Sequence, residues 1–440
     1  MSFEKDKIPL LIITYLFPPR GGVGVQRIVK FIKYLPEYGF RPIVLTVRKP
    51  PGATAEDPEM EKEIPADVKV FRTFSFEPYH IYRSLGGRKR QDDPSFRSEL
   101  VANGGKRGLL SRLYFEYQRR YLIPDPKIGW LKYAVREAEK IFSEYSPRIM
   151  LSTSPEATAH LIALKLNEKY KIPFAADFRD PWTQGHYSLE RPAKARKKEL
   201  EMEERVLEKS SAITCVMKSY IDGFTKEHPA IPQARFHIIP NGFDEADYSG
   251  IKAREFGHFT IAHTGSIYHQ RSPIPMFKAI NQLLNERPQA KDDFRLFLLG
   301  QVDTEYFKSA VAMGISDIII HEGFGTHSES LSVQLGADVL LILSEGVMTA
   351  KVYEYLRAGK PIIGFAPSGE LASRISEWGV GKVFSPLEYK EASGYLVQMY
   401  DSWKKGTLGG FADYKKINMA QYERRHQAAK LAEIMHALIK

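Results

Sequence analysis

The chain has 440 residues, of which 43% are hydrophobic and 26% charged, an ordinary composition for a globular protein of two or three domains. Its length allows a large core without crosslinks, and its single cysteine, Cys215, excludes a disulfide framework or a cysteine-rich metal cluster. Lysine and arginine outnumber aspartate and glutamate by 63 to 53, a net charge of +10. This charge favours an anionic partner: a nucleotide sugar, an anionic membrane or a nucleic acid.

The start of the chain predicts a protein that stays in the cytoplasm. Charged residues at 4–7 precede only a brief apolar run over 8–13, and no small-residue cleavage site follows, unlike the pattern of a signal peptide. Nowhere does an apolar stretch approach the ~20 residues of a membrane span. We therefore expect a cytoplasmic protein, for which peripheral contact with the inner face of the cell membrane remains an open hypothesis.

The first half of the chain predicts a parallel α/β domain. A buried strand over 9–14, a glycine loop, an amphipathic helix over 25–35 and a strand over 41–46 form one βαβ unit. The predicted alternation continues with helices over 137–145, 157–170 and 194–209 and strands over 148–152, 173–176, 212–216 and 235–240. A turn at Asn241 and Gly242 and a polar stretch end this half, so the first domain is expected to span 1–243.

The second half restarts the same alternation and predicts a second doubly wound domain over 244–417. Its predicted strands lie over 259–263, 294–299, 317–321, 339–343 and 361–364, and its predicted helices over 273–285, 306–314, 328–336 and 350–358. The remaining residues, 418–440, have the composition of a long terminal helix that crosses back to the first domain.

A basic insertion interrupts the first domain over about 83–122. Ten basic and four acidic residues between positions 83 and 120 place more than half of the excess charge there. The part over 83–106 is expected to be a solvated loop. The part over 109–122 predicts a helix with one aromatic face beside arginines, formed by Leu110, Leu113, Tyr114, Tyr117 and Tyr121. This helix either lies on an anionic membrane or buries its aromatic face against the first domain.

The glycine loop over 21–24 lies where a strand passes into a helix, so its amides can approach an anion. The alternative is a tight turn with close packing. A dinucleotide fingerprint is not present, because Arg27 occupies the position of the third glycine and no carboxylate follows the next strand. The pattern therefore argues against a nicotinamide-dependent enzyme.

The segment 344–361 contains a second possible anion site. A buried strand ends at residue 343 and a helix begins near 349–351, with Glu354 in its first turns. Such a helix start can hold a diphosphate, Lys351 can neutralise its charge, and Glu354 can accept hydrogen bonds from ribose hydroxyls. The alternative is that Lys351 is solvated and Glu354 only complements the helix dipole.

These motifs are similar to those of GT-B glycosyltransferases. Residues 351–361 resemble their donor-binding signature, and residues 17–24 resemble the glycine loop of the retaining, family 4-like group. Similar stretches also lie at 123–130, 152–155, 176–182 and 239–244. The resemblance covers nearly the whole chain and implies an α/β fold of the GT-B type, with two doubly wound Rossmann-like domains facing a central cleft. The first domain would form the acceptor side, and the second would bind the nucleotide sugar.

The resemblance also implies roles for particular residues. Glu354 would hold the ribose, and the helix start would face the diphosphate with Thr349, Ala350, Lys351 and Val352. Gly265 resembles the phosphate-loop glycine, followed by Ser266, and Gly22 and Gly24 would approach the phosphates or the sugar from the first domain. The implied catalytic residues, on the diphosphate, the acceptor or the reacting sugar, are Asp177, Arg179 and Arg271.

Three positions depart from the family pattern. Ser266 stands where relatives often have a basic residue, so Arg271 is expected to act alone. Glu345 and Glu354 are separated by eight residues instead of seven, which leaves the role of Glu345 open. Asp177 and Arg179 replace a histidine that many relatives keep near the sugar, and His160, His186 and His263 are more simply explained as structural residues.

The expected function is transfer of a sugar from a UDP- or GDP-linked donor to a saccharide or lipid-linked saccharide acceptor, with retention, in cell-surface polysaccharide or glycolipid biosynthesis. The resemblance implies neither a cofactor nor an obligatory metal. No nucleic-acid-binding signature is present, and the charge is concentrated in one insertion, so no nucleic-acid partner is expected. Two alternatives remain open: a non-catalytic, basic, membrane-associated GT-B scaffold, and a GT-B nucleotide-sugar epimerase.

Overall fold

The computed structural model describes residues 7–48, 57–79, 109–184, 189–267 and 271–439. The chain divides into two compact units, the first formed by Met1–Pro240 with Arg424–Lys440 and the second by Asn241–Glu423. Residues 83–108 of the basic insertion, and His186, lie outside the described residues. Which unit binds the donor and which the acceptor stays a prediction.

The first unit contains a seven-stranded, all-parallel sheet in the order β3-β2-β1-β4-β5-β6-β7. Its strands are β1 (Ile8–Thr14), β2 (Phe40–Val47), β3 (Lys69–Thr73), β4 (Ile149–Thr153), β5 (Phe174–Phe178), β6 (Ala212–Cys215) and β7 (Phe236–Ile238). Residues 10–13 of β1 are fully buried, as an apolar run predicts for a strand covered on both faces. Strand β3 has no counterpart among the predicted strands, because it lies at the sheet edge and includes the charged Lys69 and Arg72.

The helices of the first unit flank this sheet. They are α1 (Val23–Tyr34), α2 (Pro58–Lys62), α3 (Leu109–Tyr121), α4 (Leu131–Tyr145), α5 (Thr158–Tyr170), α6 (Ala193–Lys209) and α7 (Lys218–Glu227), with 3-10 turns at Leu35–Tyr38, Ile128–Trp130 and Gln233–Arg235. The prediction of a strand over 235–240 is too long, because Arg235 belongs to a 3-10 turn and pairing ends at Ile238. None of the helices in the described ranges is long and apolar enough to cross a membrane.

The second unit contains a six-stranded, all-parallel sheet in the order β10-β9-β8-β11-β12-β13. Its strands are β8 (Phe259–Thr264), β9 (Phe294–Leu299), β10 (Ile319–Glu322), β11 (Val339–Leu343), β12 (Ile362–Phe365) and β13 (Gly381–Phe384). Strands β8 and β11 lie at the centre of the sheet, and every residue of both is buried. Their adjacent carboxyl ends therefore meet at one edge of the second unit.

The helices of the second unit are α8 (Ile274–Glu286), α9 (Ala290–Asp293), α10 (Thr304–Ala312), α11 (His327–Gly336), α12 (Lys351–Ala358), α13 (Glu370–Trp378) and α14 (Tyr389–Lys404). Short 3-10 turns lie at Glu245–Tyr248, Ser316–Ile318, Leu408–Phe411, Tyr414–Lys416 and Met419–Tyr422. A capping box between Thr326 and Glu329 begins α11. Helix α12 ends at Gly359, whose φ of 70° is left-handed, as the sequence predicts.

The last helix, α15 (Arg424–Ala437), packs in the first unit. Its buried residues Ala428, Leu431 and Met435 join the core formed by α1 and β1. The prediction of one helix beginning at 418 is wrong at its start, because residues Met419–Tyr422 form a 3-10 turn. The Tyr422 ring instead packs against Tyr353 at a centroid distance of 5.0 Å within the second unit.

Candidate active site

The candidate residues of both units lie at the carboxyl edges of the sheets. In the first unit the strand order reverses between β1 and β4, and in the second between β8 and β11. Open α/β sheets bind ligands at such reversal points, where the loops on either side diverge. The glycine loop follows β1, Asp177 lies near the end of β5, and Gly265 and the loop before α12 follow β8 and β11.

Gly265 allows the Lys351 side chain to cross the end of β8. The φ of Gly265 is +123°, a backbone conformation that residues with a side chain rarely adopt. A Cβ at this position would also overlap the Lys351 ammonium group. Gly300 has a φ of +134°, and a Cβ there would lie 2.5 Å from the carbonyl carbon of Gly265. The loops after β8 and β9 therefore approach each other closely, and Lys351 lies against them.

Two cations share a small pocket at this edge. The pocket is lined by His263, Arg271, Thr349, Lys351, Tyr355 and residues 341–343. Burial and, to a smaller extent, the charge of Arg271 lower the pKa of Lys351, Glu354 opposes them, and the resulting pKa is about 8. Burial and a nearby cation both disfavour the protonated, charged form of the lysine. An anion bound in the pocket would favour that form.

The start of α12 borders this pocket. The helix begins at Lys351, its N-cap is Ala350, and no side chain caps its first turn. The amide of Val352 donates to Thr349 O at 3.2 Å. An uncapped helix start beside two cations is suited to an acceptor-rich group such as a phosphate.

Glu345 lies in the loop between β11 and this helix start. Its Oε1 is 3.7 Å from Arg271 Nε, and both side chains are mostly buried. Ser266 follows Gly265 and is half-buried. The structure therefore gives Glu345 an ion-pair partner, while a direct role for Glu345 or Ser266 with a ligand stays a prediction.

Glu354 is held by a buried glutamine that the sequence analysis does not identify. Gln334 of α11 is fully buried, and its Nε2 donates to Glu354 Oε2 at 3.0 Å and to Thr264 Oγ1 at 3.1 Å. Because a carboxylate only accepts hydrogen bonds, it fixes the orientation of the amide group. The only sequence signal is a polar residue three positions after the buried Leu331 of α11.

In the first unit, the glycine loop is held by the side chain of Arg179. The guanidinium of Arg179 donates to Gly24 O, and a Cβ at Gly24 would lie 2.9 Å from Leu16 Cδ1. Gly22 is the N-cap of α1, is exposed and has a φ of +99°. The first turn of α1 therefore depends on small residues and on Arg179.

Asp177 is enclosed by hydrogen-bond donors. Its Oδ1 accepts from Arg27 at 2.9 Å and from Thr214 at 2.7 Å. Its Oδ2 accepts from Arg27 at 3.2 Å and from Thr153 at 2.8 Å. Burial alone would raise the pKa of Asp177, but Arg27 and the two hydroxyl groups outweigh it, so the pKa is lowered. The predicted catalytic role of Asp177 stays a prediction, and these contacts favour positioning instead.

Arg27 explains why the third glycine of a dinucleotide fingerprint is missing. Its side chain is 1% exposed and also donates to Ile239 O at 2.9 Å and Pro240 O at 2.8 Å. The arginine thus joins α1 to Asp177 and to the chain after β7. Arg27 positions the glycine loop. The sequence does not indicate this role, because its partner Asp177 lies about 150 residues away in the chain.

Comparison with solved structures identifies the fold. HepE from Anabaena, solved in complex with UDP, superimposes with a TM-score of 0.62 at 13% identity, covering 98% of this chain and 100% of that chain. WaaG, a glycosyltransferase involved in lipopolysaccharide biosynthesis, gives 0.59 at 14% identity over 97% and 99%. Sucrose-phosphate synthase from Thermosynechococcus elongatus gives 0.60 at 12% over 98% and 99%. The GT-B type of fold, with two doubly wound sheets, is confirmed.

One protein family model matches part of the chain. Residues 88–247 match the model of Glycosyltransferase Family 4. The chain therefore has the GT-B type of fold, and its segment 88–247 is similar to Glycosyltransferase Family 4. The match covers about a third of the chain, including Asp177 and Arg179, and confirms the resemblance seen in the sequence. No curated protein matches the sequence.

Helix α3 of the first unit leaves an aromatic face exposed. Leu113, Tyr117 and Tyr121 are 58%, 42% and 67% exposed, and they follow one another at helical spacing. The end of α3 is fixed by Arg191, which donates to four of the carbonyl groups that end the helix and follow it: Gln118, Arg119, Leu122 and Pro124. The alternative in which the whole aromatic face is buried is therefore wrong for these three side chains.

Proposed function

We propose that this protein is a glycosyltransferase that transfers a sugar from a nucleotide diphosphosugar to a saccharide or lipid-linked saccharide, with retention of anomeric configuration. The arrangement of Arg271, Lys351 and Glu354 at one sheet edge supports this proposal most directly. Two cations and an uncapped helix start suit a diphosphate, and a fixed carboxylate next to them suits a ribose. HepE from Anabaena, which has the same fold, was solved with UDP and with UDP-glucose.

The chemistry requires charge stabilisation more than an ionised nucleophile. When the bond between the anomeric carbon and the phosphate oxygen breaks, negative charge develops on the departing diphosphate. Lys351 and Arg271 would offset that charge, and the helix start over 349–352 would face the phosphate oxygens. Glu354 would hold the ribose, so that the anomeric carbon is placed consistently relative to these groups. The two side-chain cations would thus stabilise the negative charge of the departing diphosphate, as a metal ion does in other transferases.

The predicted residues of the first unit would act mainly through the glycine loop. Arg179 holds Gly24, and Asp177 holds Arg27 and with it the first turns of α1. Gly22 is the exposed residue of that loop, and no atom lies within 4 Å of the position of a Cβ there. A phosphate or sugar could therefore contact Gly22 without displacing a side chain. Arg179 and Asp177 would then affect turnover by placing the loop.

We also propose that α3 rests on an anionic membrane while the enzyme works on cell-surface polysaccharide or glycolipid precursors. Its exposed Leu113, Tyr117 and Tyr121 lie next to the exposed Arg112 and Arg120, the combination that suits a bilayer interface. Each basic residue near an anionic surface contributes about 1 kcal/mol. WaaG, which shares the fold, is involved in lipopolysaccharide biosynthesis.

A panel of nucleotide sugars tests the proposed reaction. We expect UDP or GDP to raise the melting temperature, and one donor to be hydrolysed slowly and transferred when an acceptor is supplied, with proton NMR showing the retained anomer. Arg271→Ala should lower turnover much more than stability, whereas Arg374→Ala, which removes an exposed arginine of α13, should change neither. No stabilisation by any nucleotide would favour the scaffold alternative, and turnover of a donor without an acceptor would favour an epimerase.

Liposome flotation tests the membrane contact. The wild type should bind vesicles containing anionic lipid at low salt and should bind much less at high salt. The variant Leu113→Ser/Tyr117→Ser should lose binding. Equal binding of this variant and the wild type, or equal binding to neutral vesicles, would contradict the assignment of α3.

A further inference from the structure

His263 lines the pocket of the second unit and has one ring nitrogen without a hydrogen-bond partner among the described residues. It lies near the end of β8, is 3% exposed, and its Nδ1 is 2.9 Å from Leu341 O. Since a carbonyl oxygen only accepts hydrogen bonds, Nδ1 has the proton and Nε2 has the lone pair. That Nε2 is buried and has no hydrogen-bond partner among the described residues.

The groups around His263 come from three elements. Arg271 lies in the loop after β8, with Glu345 of the loop after β11 at 3.7 Å from it. Lys351 and Tyr355 face the pocket from α12, and Glu354 of the same helix acts on Lys351. Burial, together with the charges of Lys351 and Arg271, lowers the pKa of His263 to about 3. Without a ligand, His263 is therefore neutral.

A diphosphate would reverse this balance. When they are ionised, its unesterified oxygens only accept hydrogen bonds, so they would meet the Nε2 lone pair unfavourably. They would also neutralise Lys351 and Arg271, whose charges oppose protonation of His263. A proton on Nε2 would remove the unfavourable contact and complete the hydrogen bonds of the buried ring.

We propose that His263 takes up a proton when a nucleotide diphosphate binds, and that its Nε2–H then donates to a phosphate oxygen. The proton comes from solvent and returns to solvent when the product leaves, and no covalent bond changes. This inference rests on the proposed function, because it requires a diphosphate in this pocket. It adds a ligand-contacting residue that no motif of the sequence indicates.

Lys351 would also respond to the ligand, but at a different pH. Burial and Arg271 lower its pKa to about 8, so it is already protonated at pH 6.5 and contributes proton uptake only near and above pH 8. At pH 6.5 we therefore assign proton uptake by the protein on ligand binding to His263 and not to Lys351. The nucleotide's terminal phosphate also titrates in this range, and comparison with a variant removes its contribution.

Calorimetric titration with UDP and with GDP at pH 6.5, in two buffers of different ionisation enthalpy, counts the protons taken up. In His263→Asn the amide can still donate to Leu341 O, but there is no Nε2. We expect the wild type to take up as much as one proton more than this variant, and its relative affinity to fall by up to tenfold per pH unit above pH 6.5. His160→Asn, which alters a buried histidine of the first unit hydrogen-bonded to Ser152, should behave like the wild type.

Equal proton uptake by the wild type and His263→Asn would overturn the inference while leaving the proposed function intact. Failure of the wild type to bind any nucleotide would instead overturn the proposed function. If His263→Asn does not fold, nitrogen-15 NMR of the wild type with UDP or GDP gives the same decision. A shift of Nε2 to the value of a protonated ring supports the inference, and an unchanged Nε2 shift overturns it.

Discussion

The buried amide of Gln334 donates a hydrogen bond to the Glu354 carboxylate at 3.0 Å. This contact joins α11 to the first turn of α12 and limits the rotamers of Glu354. The same amide reaches Thr264 at the end of β8, so one side chain connects three elements at the edge of the sheet. The ribose-binding geometry proposed for Glu354 is therefore set by a residue that need not touch the ligand.

Replacing Gln334 should weaken nucleotide binding through Glu354. Gln334→Leu removes the donor, and we expect UDP or GDP to bind about tenfold more weakly, since a hydrogen bond to a charged group contributes about 1.5–3 kcal/mol. Isothermal titration calorimetry measures the effect, and Gln282→Leu, which removes an exposed glutamine contact with Glu286, is the control. Wild-type affinity in Gln334→Leu, with Glu354→Ala impaired, would show that Glu354 needs no such support.

Gly265 should not tolerate a side chain. Gly265→Ala forces a Cβ onto the Lys351 ammonium at a φ of +123°, and such backbone strain costs about 1–3 kcal/mol. We expect a lower melting temperature and a larger loss of nucleotide affinity than of stability, because Lys351 is displaced. Gly257→Ala, at a glycine with open space around it and no positive φ, should be neutral. Full affinity in Gly265→Ala would contradict the placement of Lys351.

The ion pair of Asp177 and Arg27 should be needed for the stability of the first unit. Asp177→Ala leaves the guanidinium buried without its carboxylate, and breaking a buried pair in this way costs about 3–5 kcal/mol. Denaturant unfolding of the single variants and of the double variant Arg27→Met/Asp177→Ala measures this cost. The double variant should be more stable than Asp177→Ala, and a double variant less stable than either single one would contradict a predominantly positioning role.

His228 should make stability depend on pH. Its Nε2 is 2.7 Å from Glu203 Oε2. Burial lowers the pKa of His228, but the hydrogen bond and charge of Glu203 raise it more, so the net pKa lies above the ordinary value. The stabilisation is therefore fully present below the unfolded pKa, about 6.5, and is lost as the pH rises through the folded pKa. The difference in unfolding free energy between wild type and His228→Gln should shrink from pH 6 to pH 8. A constant difference would exclude the charged pair.

Turnover should not require a divalent metal ion. Arg271 and Lys351 supply the positive charge that a diphosphate needs on leaving, so dialysis against EDTA is expected to leave the transfer rate unchanged. Loss of activity in EDTA that Mg²⁺ or Mn²⁺ restores would contradict this expectation. The Lys351→Ala variant provides a comparison, because a metal-dependent enzyme would lose less activity on losing one cation.

The sequence alone identifies most of the fold, because each signal is local. The strands β1, β8 and β11 can be predicted from local sequence, because each is an apolar run followed by glycine or a short loop. Gly265, Lys351 and Glu354 are recognisable for the same reason, as members of short motifs. The edge strand β3 and the 3-10 turn before α15 are missed, because their conformation depends on what packs against them.

The sequence therefore determined the two α/β halves and the kind of residue that each strand end presents. Only the tertiary structure decided that Arg27 pairs with Asp177, that Gln334 orients Glu354, and that His263 shares a pocket with two cations. Those relations join residues 8 to 150 positions apart, and their energies depend on burial and distance. Hydrophobic periodicity indicates which element a residue belongs to, but the partner of a buried polar side chain is chosen only when the elements pack.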